Sequence, residues 1–247
     1  MTYCLAIKLE EGLVFCSDSR TNAGPDQVDV YSKQHIFLDS EDRQMVLLSA
    51  GNLATTQAVV SRMGRDLAEH SSPNIHDMHY LSDVADYVGQ ISQEVQKKYA
   101  PDGPKSGFNP KASFILGGQI KGSEPELFLI YPEGNHIQPS RRNPFFQIGE
   151  TKYGKPILDR ILEHETPHEI AMRCALVSMD STIRSSATVG PPIEIMYLKR
   201  DQFGGPAKSY SLTRNDPYLV KLRETWNQNL LQAFSELPSM AEMFEGD

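Results

Sequence analysis

Residues 1–20 read MTYCLAIKLEEGLVFCSDSR and contain the clearest indication of how this chain folds. Apolar residues dominate segments 2–9 and 13–18, and the polar turn Glu10-Glu11-Gly12 separates them. Two short apolar segments joined by a turn that contains glycine are typical of a β-hairpin. The sequence therefore predicts that a strand begins directly behind Met1, which places the start of the chain inside a sheet.

The sizes of the side chains suggest how these two strands pair. A register in which paired residue numbers add up to 20 places Leu5 opposite Phe15 on one face of the hairpin. On the other face it places Thr2 opposite Asp18, among small residues. We therefore expect the hydroxyl of Thr2 and the carboxylate of Asp18 to share one face.

The rest of the chain consists of strands that alternate with pairs of helices. Because strict alternation of single strands and helices is absent, an α+β fold with two antiparallel sheets between helical layers is expected. No fixed-period repeat or low-complexity linker interrupts the chain, so 1–247 is predicted to form a single domain. The further predicted strands are 33–38, 44–51, 112–120, 126–131, 135–138 and 193–199, and the predicted helices are 53–69, 80–99, 152–165, 167–185 and 217–235.

Composition excludes several classes of function. The net charge is −8 without a cluster of Lys and Arg, which argues against a nucleic-acid surface. Apolar runs such as Met45-Val46-Leu47-Leu48 are too short to cross a bilayer, and the N-terminus lacks the features of a signal peptide. Cys4, Cys16 and Cys174 lack the spacing of metal ligands and fit a reducing compartment. A cytoplasmic protein without nucleic-acid or membrane partners is expected.

One segment matches a metal motif by its letters alone. His164-Glu165-Thr166-Pro167-His168 has the pattern of a zinc protease, which needs both imidazoles on one continuous helix. Pro167 interrupts that helix because it lacks a backbone donor and collides with the preceding turn. We instead predict a break between two helices, with Thr166 as N-cap, Pro167 as the first helical residue and Glu169 as the capping-box partner.

A second segment resembles a phosphate-binding loop. Residues 149–156 read GETKYGKP and match that motif at every required position except the last. Pro156 stands where the motif has the hydroxyl that binds Mg²⁺. An ordinary turn before a helix explains the glycines equally well, and this is the prediction we adopt.

Thr2 is a candidate nucleophile, because Met1 is normally removed when the next residue is as small as threonine. An α-amine has an ordinary pKa of about 7.7–8.0, so much of it is a neutral base near pH 7. Such an amine accepts the proton of its own hydroxyl, directly or through a water molecule. No histidine is then needed as the base.

Three further positions are expected near Thr2. Asp18 ends the second strand and Lys33 begins the third. The ammonium would lower the pKa values of the hydroxyl and amine, and the carboxylate would hold the ammonium in place. Gly51 ends the fourth strand, where its N–H can face a developing oxyanion. The alternative for each of these residues is an ordinary turn or surface position without a catalytic role.

This ordered set of segments resembles the N-terminal nucleophile (Ntn) hydrolases, specifically the β-type subunits of proteasomes. The residues that carry the resemblance are TYCLAIK at 2–8, DSR at 18–20, Lys33 and SAGNLATT at 49–56. The segments SDSRTNAG at 17–24 and ALVSMDST at 175–182 are most similar to the bacterial proteasome-like proteins. The resemblance covers nearly the whole chain and implies a four-layer αββα sandwich.

The resemblance also implies residue roles. By position, Thr2 is the nucleophile, Asp18 and Lys33 are the supporting pair, and the amide of Gly51 is the oxyanion donor. Arg20 lies beside that pair in the family pattern, with a surface arginine as the alternative.

Downstream, the sequence departs from the family pattern. Asp180 aligns with a family aspartate, whereas the serine that follows it is either Ser185 or its neighbour. Glu150 stands where the family has a serine after a glycine, and it adds a negative charge to the site.

The function that the resemblance implies is that of a threonine peptidase which cleaves peptide or protein substrates through an acyl-enzyme. It implies no cofactor and no metal, a homo-oligomeric ring or open spiral, and an ATPase or accessory enzyme as a candidate partner. Residues 205–247, with Trp226 and Leu230, are candidates for subunit contacts, although a core role is the alternative. Two other functions stay open: an Ntn amidase or transferase acting on a non-peptide or γ-glutamyl amide, and a scaffold ring with a vestigial site.

Overall fold

Antiparallel strands and long helices account for most of the chain. The computed structural model describes residues 2–24, 27–103, 108–205 and 208–240. Its elements are β1 (Tyr3–Leu9), β2 (Gly12–Asp18), β3 (Arg20–Gly24), β4 (Gln27–Val30), β5 (Gln34–Asp39), β6 (Arg43–Gly51), α1 (Leu53–Ala68), α2 (Leu81–Tyr99), β7 (Ala112–Ile120), β8 (Glu126–Ile130), β9 (His136–Ile137), β10 (Phe145–Gly149), α3 (Lys155–Ile161), α4 (His168–Ser185), β11 (Ile193–Lys199), β12 (Lys208–Leu212) and α5 (Pro217–Ser235).

Two five-stranded antiparallel sheets form the centre of the first compact unit, residues 1–213. One sheet has the order β10-β1-β2-β11-β12, and the other has the order β5-β6-β7-β8-β9. Strands β3 and β4 form a separate two-stranded ribbon. The first strand of the chain is therefore an inner strand, held by β2 on one side and β10 on the other.

Apolar side chains fill the space between the sheets and beneath the helices. Phe15 and Met196 from the first sheet pack with Leu48 and Ile115 from the second, and all four are buried. A separate core joins the second sheet to α1 and α2, while α4 covers the first sheet at β1, β2 and β11. The predicted α+β sandwich of two antiparallel sheets between helical layers is confirmed.

The predicted register of the first hairpin is wrong by one residue. Leu5 pairs with Cys16 and Ile7 pairs with Val14, so the turn contains only two residues between Leu9 and Gly12. Gly12 belongs to β2 with φ at +147°, and a Cβ there would collide with the carbonyl oxygen of Leu198. The close approach of β11 therefore requires glycine at this end of the turn. In the observed register, Asp18 lies opposite Tyr3 rather than Thr2.

The predicted capping of α4 is also corrected. α3 ends at Ile161 and α4 begins at His168, which confirms a break between two helices. The N-cap is Pro167 rather than Thr166, whose Oγ1 accepts from the N–H of Glu163 at 2.9 Å. The carboxylate of Glu11 accepts the N–H of His168, so a distant turn caps the helix instead of Glu169.

The second compact unit, residues 214–247, contains α5. Asp216 caps this helix, because its carboxylate accepts from the N–H of Tyr218 at 2.9 Å. Leu231 and Phe234 are strongly exposed, Leu230 is exposed, and Trp226 is half-buried. The predicted helix at 217–235 is confirmed, whereas the single domain over 1–247 and the contact role of 205–247 stay predictions. Within the described residues, no helix combines the length and the apolar character needed to cross a membrane.

Candidate active site

The end of β2 holds a buried charged pair. Oδ1 of Asp18 accepts from Nζ of Lys33 at 2.6 Å and from the N–H of Tyr3 at 2.9 Å. Oδ2 accepts from the N–H of Gly190 at 3.1 Å. β1, β2 and the residue before β5 meet at this carboxylate, so it fixes the start of β1 relative to Lys33.

Burial controls the electrostatics of this pair. Desolvation raises the pKa of the Asp18 carboxyl above its usual range, while the Lys33 ammonium and the backbone donors oppose that shift. Taking two charges out of water costs several kcal/mol per ion, and the mutual attraction of the ions offsets only part of that cost. A buried pair of this kind is weak evidence for stability, and it marks a candidate functional site.

A cavity of about 140 Å³ opens beside Thr2. Lys33, Arg20 and Gly51 line it together with Thr2. The structure thus brings four of the predicted site residues to one opening, with Asp18 buried behind Lys33. Met1 lies outside the described residues.

Strand β10 holds the backbone of Thr2. The carbonyl oxygen of Thr2 accepts from the N–H of Glu150 at 2.7 Å. Gly149, at φ +86°, packs so closely that a Cβ there would collide with this oxygen. Glu150 thus contacts Thr2 through its backbone amide rather than through the carboxylate that stands at the family's serine position.

Arg20 lies beside the charged pair, as the family pattern implies. Its backbone carbonyl accepts from Nζ of Lys33 at 2.7 Å. Its guanidinium donates from Nη1 to the carbonyl oxygen of Ala187 at 2.7 Å and packs against Gly190. The side chain is therefore held in place at the rim of the cavity.

Asp180 and Ser185 do not line the cavity. Asp180 is buried within α4, and Ser185 is the exposed last residue of that helix. The neighbouring Ser186 is buried, with its Oγ 2.9 Å from Oγ1 of Thr188. The roles that the family pattern gives to these positions stay predictions.

Sequence reasoning missed several residues of the site. Thr21, Tyr31, Leu53 and Thr56 line the cavity, and Gly190 binds Asp18 through its amide. Gly190 is far from Asp18 in the sequence, so no local spacing could have indicated this contact. Thr21 and Tyr31 lie in a polar segment between the predicted strands 13–18 and 33–38, where no apolar pattern indicates an element.

His35 was also missed. Its Nε2 lies 3.3 Å from Oγ of Ser49, which lines the cavity, and its ring centroid lies 6.2 Å from that of Tyr31. Burial lowers the pKa of His35 to about 4. The ring is therefore neutral at pH 7 and adds no positive charge next to Lys33.

The cysteines are unsuited to serve as nucleophiles. Cys4, Cys16 and Cys174 are free and buried, and burial raises the pKa of each thiol. A thiol with a raised pKa carries almost no reactive thiolate at pH 7. The described stretches also contain no group of three or more His, Cys, Asp or Glu side chains that could hold a metal ion.

Comparison with known proteins identifies the family. A sequence model described as proteasome subunit matches residues 2–198. The chain belongs to the proteasome family. The family resemblance and the Ntn-type fold expected from the sequence are thereby confirmed.

Solved structures of Anbu proteins are similar to this proteasome-family chain over nearly its full length. Anbu (ancestral beta-subunit) from Yersinia bercovieri has 42% identity and a TM-score of 0.89, with 96% of this chain and 98% of that chain covered. The helical assembly of the Anbu complex from Pseudomonas aeruginosa gives 41% identity, a TM-score of 0.89 and the same coverage of 96% and 98%. Anbu from Hyphomicrobium sp. strain MC1 gives 40% identity, a TM-score of 0.86, and coverage of 96% and 99%. The comparison with curated proteins found no match.

Proposed function

We propose that this proteasome-family chain is a threonine peptidase that uses Thr2 as its nucleophile after removal of Met1. One observation carries the proposal: Thr2 and Lys33 line the same cavity, and the buried carboxylate of Asp18 holds the ammonium of Lys33 at 2.6 Å. A buried charge pair beside a hydroxyl is an arrangement that activates nucleophiles.

The proposed reaction starts with the α-amine that removal of Met1 frees. This amine takes the proton from Oγ of Thr2, and the oxygen attacks the carbonyl carbon of a peptide bond. The Lys33 ammonium favours the deprotonated oxygen, while the N–H of Gly51 donates to the developing oxyanion. The protonated amine then transfers its proton to the leaving nitrogen, and an ester between the substrate acyl group and Thr2 remains.

Water completes the cycle in the second half of the reaction. The same α-amine removes a proton from a water molecule, whose oxygen attacks the ester. The carboxyl product leaves, and Oγ of Thr2 recovers its proton from the amine. Each residue in this scheme lines the cavity or, like Asp18, binds a residue that does.

We also propose homo-oligomerisation in a ring or an open spiral. The support comes from the similar Pseudomonas aeruginosa protein, for which a helical assembly is described. A cytoplasmic location fits the three free cysteines. Peptide or protein substrates fit a site enclosed by such an assembly, and an ATPase or accessory enzyme that delivers them belongs to the same proposal.

Intact mass measured before and after treatment with a β-lactone tests the proposal. We expect a starting mass that lacks Met1 and one adduct on Thr2 after treatment. Thr2→Val should form no adduct, whereas Thr213→Val, the same change at an exposed residue outside the cavity, should react as the parent does. Retained Met1 without an adduct would support the scaffold alternative. An adduct together with cleavage of small amides, but not of peptides, would support the amidase alternative.

A further inference from the structure

The cavity beside Thr2 has an unusually polar wall for a substrate pocket. Besides Thr2, four of the residues that line it carry hydroxyl groups: Thr21, Tyr31, Ser49 and Thr56. Pockets for small molecules and side chains are ordinarily lined mainly by apolar and aromatic groups, with a few polar groups that fix orientation. This wall is therefore suited to a substrate side chain that accepts hydrogen bonds.

One of these hydroxyls is left unsatisfied. Oγ1 of Thr21 is buried and has no hydrogen-bond partner among the residues that the structure describes. Buried polar groups in folded proteins nearly always have a partner, and an exception calls for an explanation. Thr21 lines the cavity, so rotation of its side chain would let a ligand group accept from this hydroxyl and remove the unfavourable free energy of leaving it unpaired.

The charge of the wall is positive. Arg20 and Lys33 line the cavity, and no aspartate or glutamate is among the described residues that do so. Asp18 compensates the charge of Lys33. The guanidinium of Arg20 donates to the uncharged carbonyl of Ala187, and it makes no ion pair with any carboxylate in the described segments.

We propose that this cavity binds an acidic side chain, that of glutamate or aspartate, on the substrate residue whose carbonyl carbon Thr2 attacks. The inference rests on the proposed peptidase function and names the substrate class of that site. A carboxylate accepts hydrogen bonds through two oxygens, so it can accept from Thr21 and pair with Arg20 at once. The cavity volume of about 140 Å³ is ample for a short side chain, since one water molecule occupies about 30 Å³ of liquid.

Other side chains fit this wall less well. A lysine or arginine side chain would place a second positive charge near Arg20, and like charges repel. A leucine side chain would leave the hydroxyl of Thr21 without a partner and cover further polar groups. Glutamine can accept from Thr21 but offers Arg20 no charge, so it should rank between glutamate and leucine.

The test uses peptide epoxyketones that differ only in the residue next to the reactive group: Glu, Gln, Leu or Lys. The second-order rate of adduct formation on Thr2 is measured by intact mass. We expect the Glu probe to react about tenfold faster than the Leu probe, the effect of one hydrogen bond to a charged group. The Lys probe should be the slowest of the four.

Thr21→Val supplies the matched variant, because valine keeps the shape of threonine and suits strand β3 while it removes the hydroxyl. It should lower the rate of the Glu probe about tenfold and leave the Leu probe equal or faster. Thr213→Val serves as the control and should leave the ranking of the probes unchanged.

A β-lactone without a side chain separates the two proposals. If the lactone acylates Thr2 and the Leu probe reacts as fast as the Glu probe, the acidic subsite is wrong and the peptidase proposal stands. The same conclusion follows if Thr21→Val slows both probes equally. If neither the lactone nor any epoxyketone forms an adduct, the proposed function fails and the acidic subsite fails with it.

Discussion

The two ends of the β1–β2 hairpin carry charged pairs in opposite settings. At the open end, the side chains of Lys33 and Asp18 are 6% and 0% exposed, with 2.6 Å between Nζ and Oδ1. At the turn, His168 and Glu11 are 37% and 43% exposed, with 2.8 Å between Nδ1 and Oε1. The distances are nearly equal, so burial is what distinguishes the two ends.

This difference in burial suggests different roles for the two pairs: the turn pair stabilises the fold, and the open-end pair belongs to the proposed active site. The turn pair has a complete structural explanation, since Glu11 caps α4 and the ring of His168 stacks on Tyr197 at 4.3 Å between centroids. The open-end pair also has a structural role, since Asp18 accepts from the N–H groups of Tyr3 and Gly190, but that role alone does not require a second buried charge on Lys33, which costs several kcal/mol to remove from water. Charges retained in that position are expected to serve chemistry.

Removal of Lys33 should have the largest effect. Lys33→Met leaves the carboxylate of Asp18 buried without its cation, so the free energy of unfolding should fall by about 3–5 kcal/mol. Urea denaturation at pH 7 measures this loss. Lys155→Met provides the control, because Lys155 and Asp159 form an exposed pair at 2.6 Å and should contribute no more than about 0.5 kcal/mol. Equal losses in the two variants would mean that burial does not distinguish the pairs.

Two glycines allow the ends of β1 to be compared directly. Gly149 meets the start of β1 and Gly12 pairs with its last residue, and each combines positive φ with a collision for any added Cβ. Replacement of either by alanine should lower the free energy of unfolding by about 2–4 kcal/mol. Only Gly149→Ala should also slow acylation of Thr2, because its Cβ displaces the Thr2 carbonyl.

The matched control for these glycines is Gly122→Ala. Gly122 has φ at +90° with open space around it, so the substitution introduces strain without a collision. It should lose about 1 kcal/mol and leave acylation unchanged. Acylation of Thr2 at the parent rate in Gly149→Ala would contradict the idea that β10 positions the nucleophile.

The pH dependence of stability should report on the open end through His35. Its folded-state pKa of about 4 lies below the ordinary value of 6.5, so the unfolded chain binds the proton more tightly. The stability that His35 contributes is therefore present above pH 6.5 and lost as the pH falls towards 4. Since one pKa unit corresponds to about 1.4 kcal/mol, His35→Asn should reduce the loss between pH 7 and pH 4 by about 2–3 kcal/mol. Parallel curves for parent and variant would contradict this assignment.

The smallest effect is expected at the turn. The N–H of His168 is the main cause of the lowered pKa of Glu11, so its carboxylate stabilises the fold above its ordinary pKa and less as the pH falls through the folded value. Because the pair is exposed to solvent, Glu11→Gln should lose only about 0.5–1 kcal/mol at pH 7. Adduct formation on Thr2 should remain at the parent rate, and a slower rate would show that the two ends are coupled.

Much of the architecture follows from apolar periodicity. The helices 81–99 and 168–185 and the strands around Thr2 have clear patterns because each covers a core. β12, with the sequence KSYSL, escaped prediction because it is an edge strand whose residues are largely exposed. The ribbon of β3 and β4 was not predicted for a related reason, since its segment contains few apolar residues.

The register error has a physical cause of its own. Sorting side chains by size requires one buried face and one exposed face, but β2 is buried on both, between α4 and the second sheet. Phe15 faces the second sheet, whereas Leu5 lies on the opposite face from Phe15, and both are fully buried. The pattern of apolar residues therefore does not show which face of β2 meets the second sheet. The close approach of β11 to Gly12 sets the register instead.

The site was predictable to the extent that it lies at strand ends. Asp18 ends β2, Lys33 directly precedes β5 and Gly51 ends β6. Lys33 and Gly51 line the cavity, and Asp18 is buried behind Lys33. Thr21 lies in the unassigned segment, and Gly190 arrives from a loop far along the chain. Contacts of that range depend on tertiary packing and leave no trace in local spacing.

Because β1 pairs with β10, a strand far along the chain, this part of the sheet can form only late in biosynthesis. Cys4 pairs with Ile148, so one side of the first strand stays open until the ribosome has added residues 5–148. At about 5–20 residues per second, that takes roughly 7–30 seconds. During this interval an apolar strand with an unpaired edge is exposed to other nascent chains. Cells that make this protein rapidly should therefore depend on chaperones that shelter its first strand.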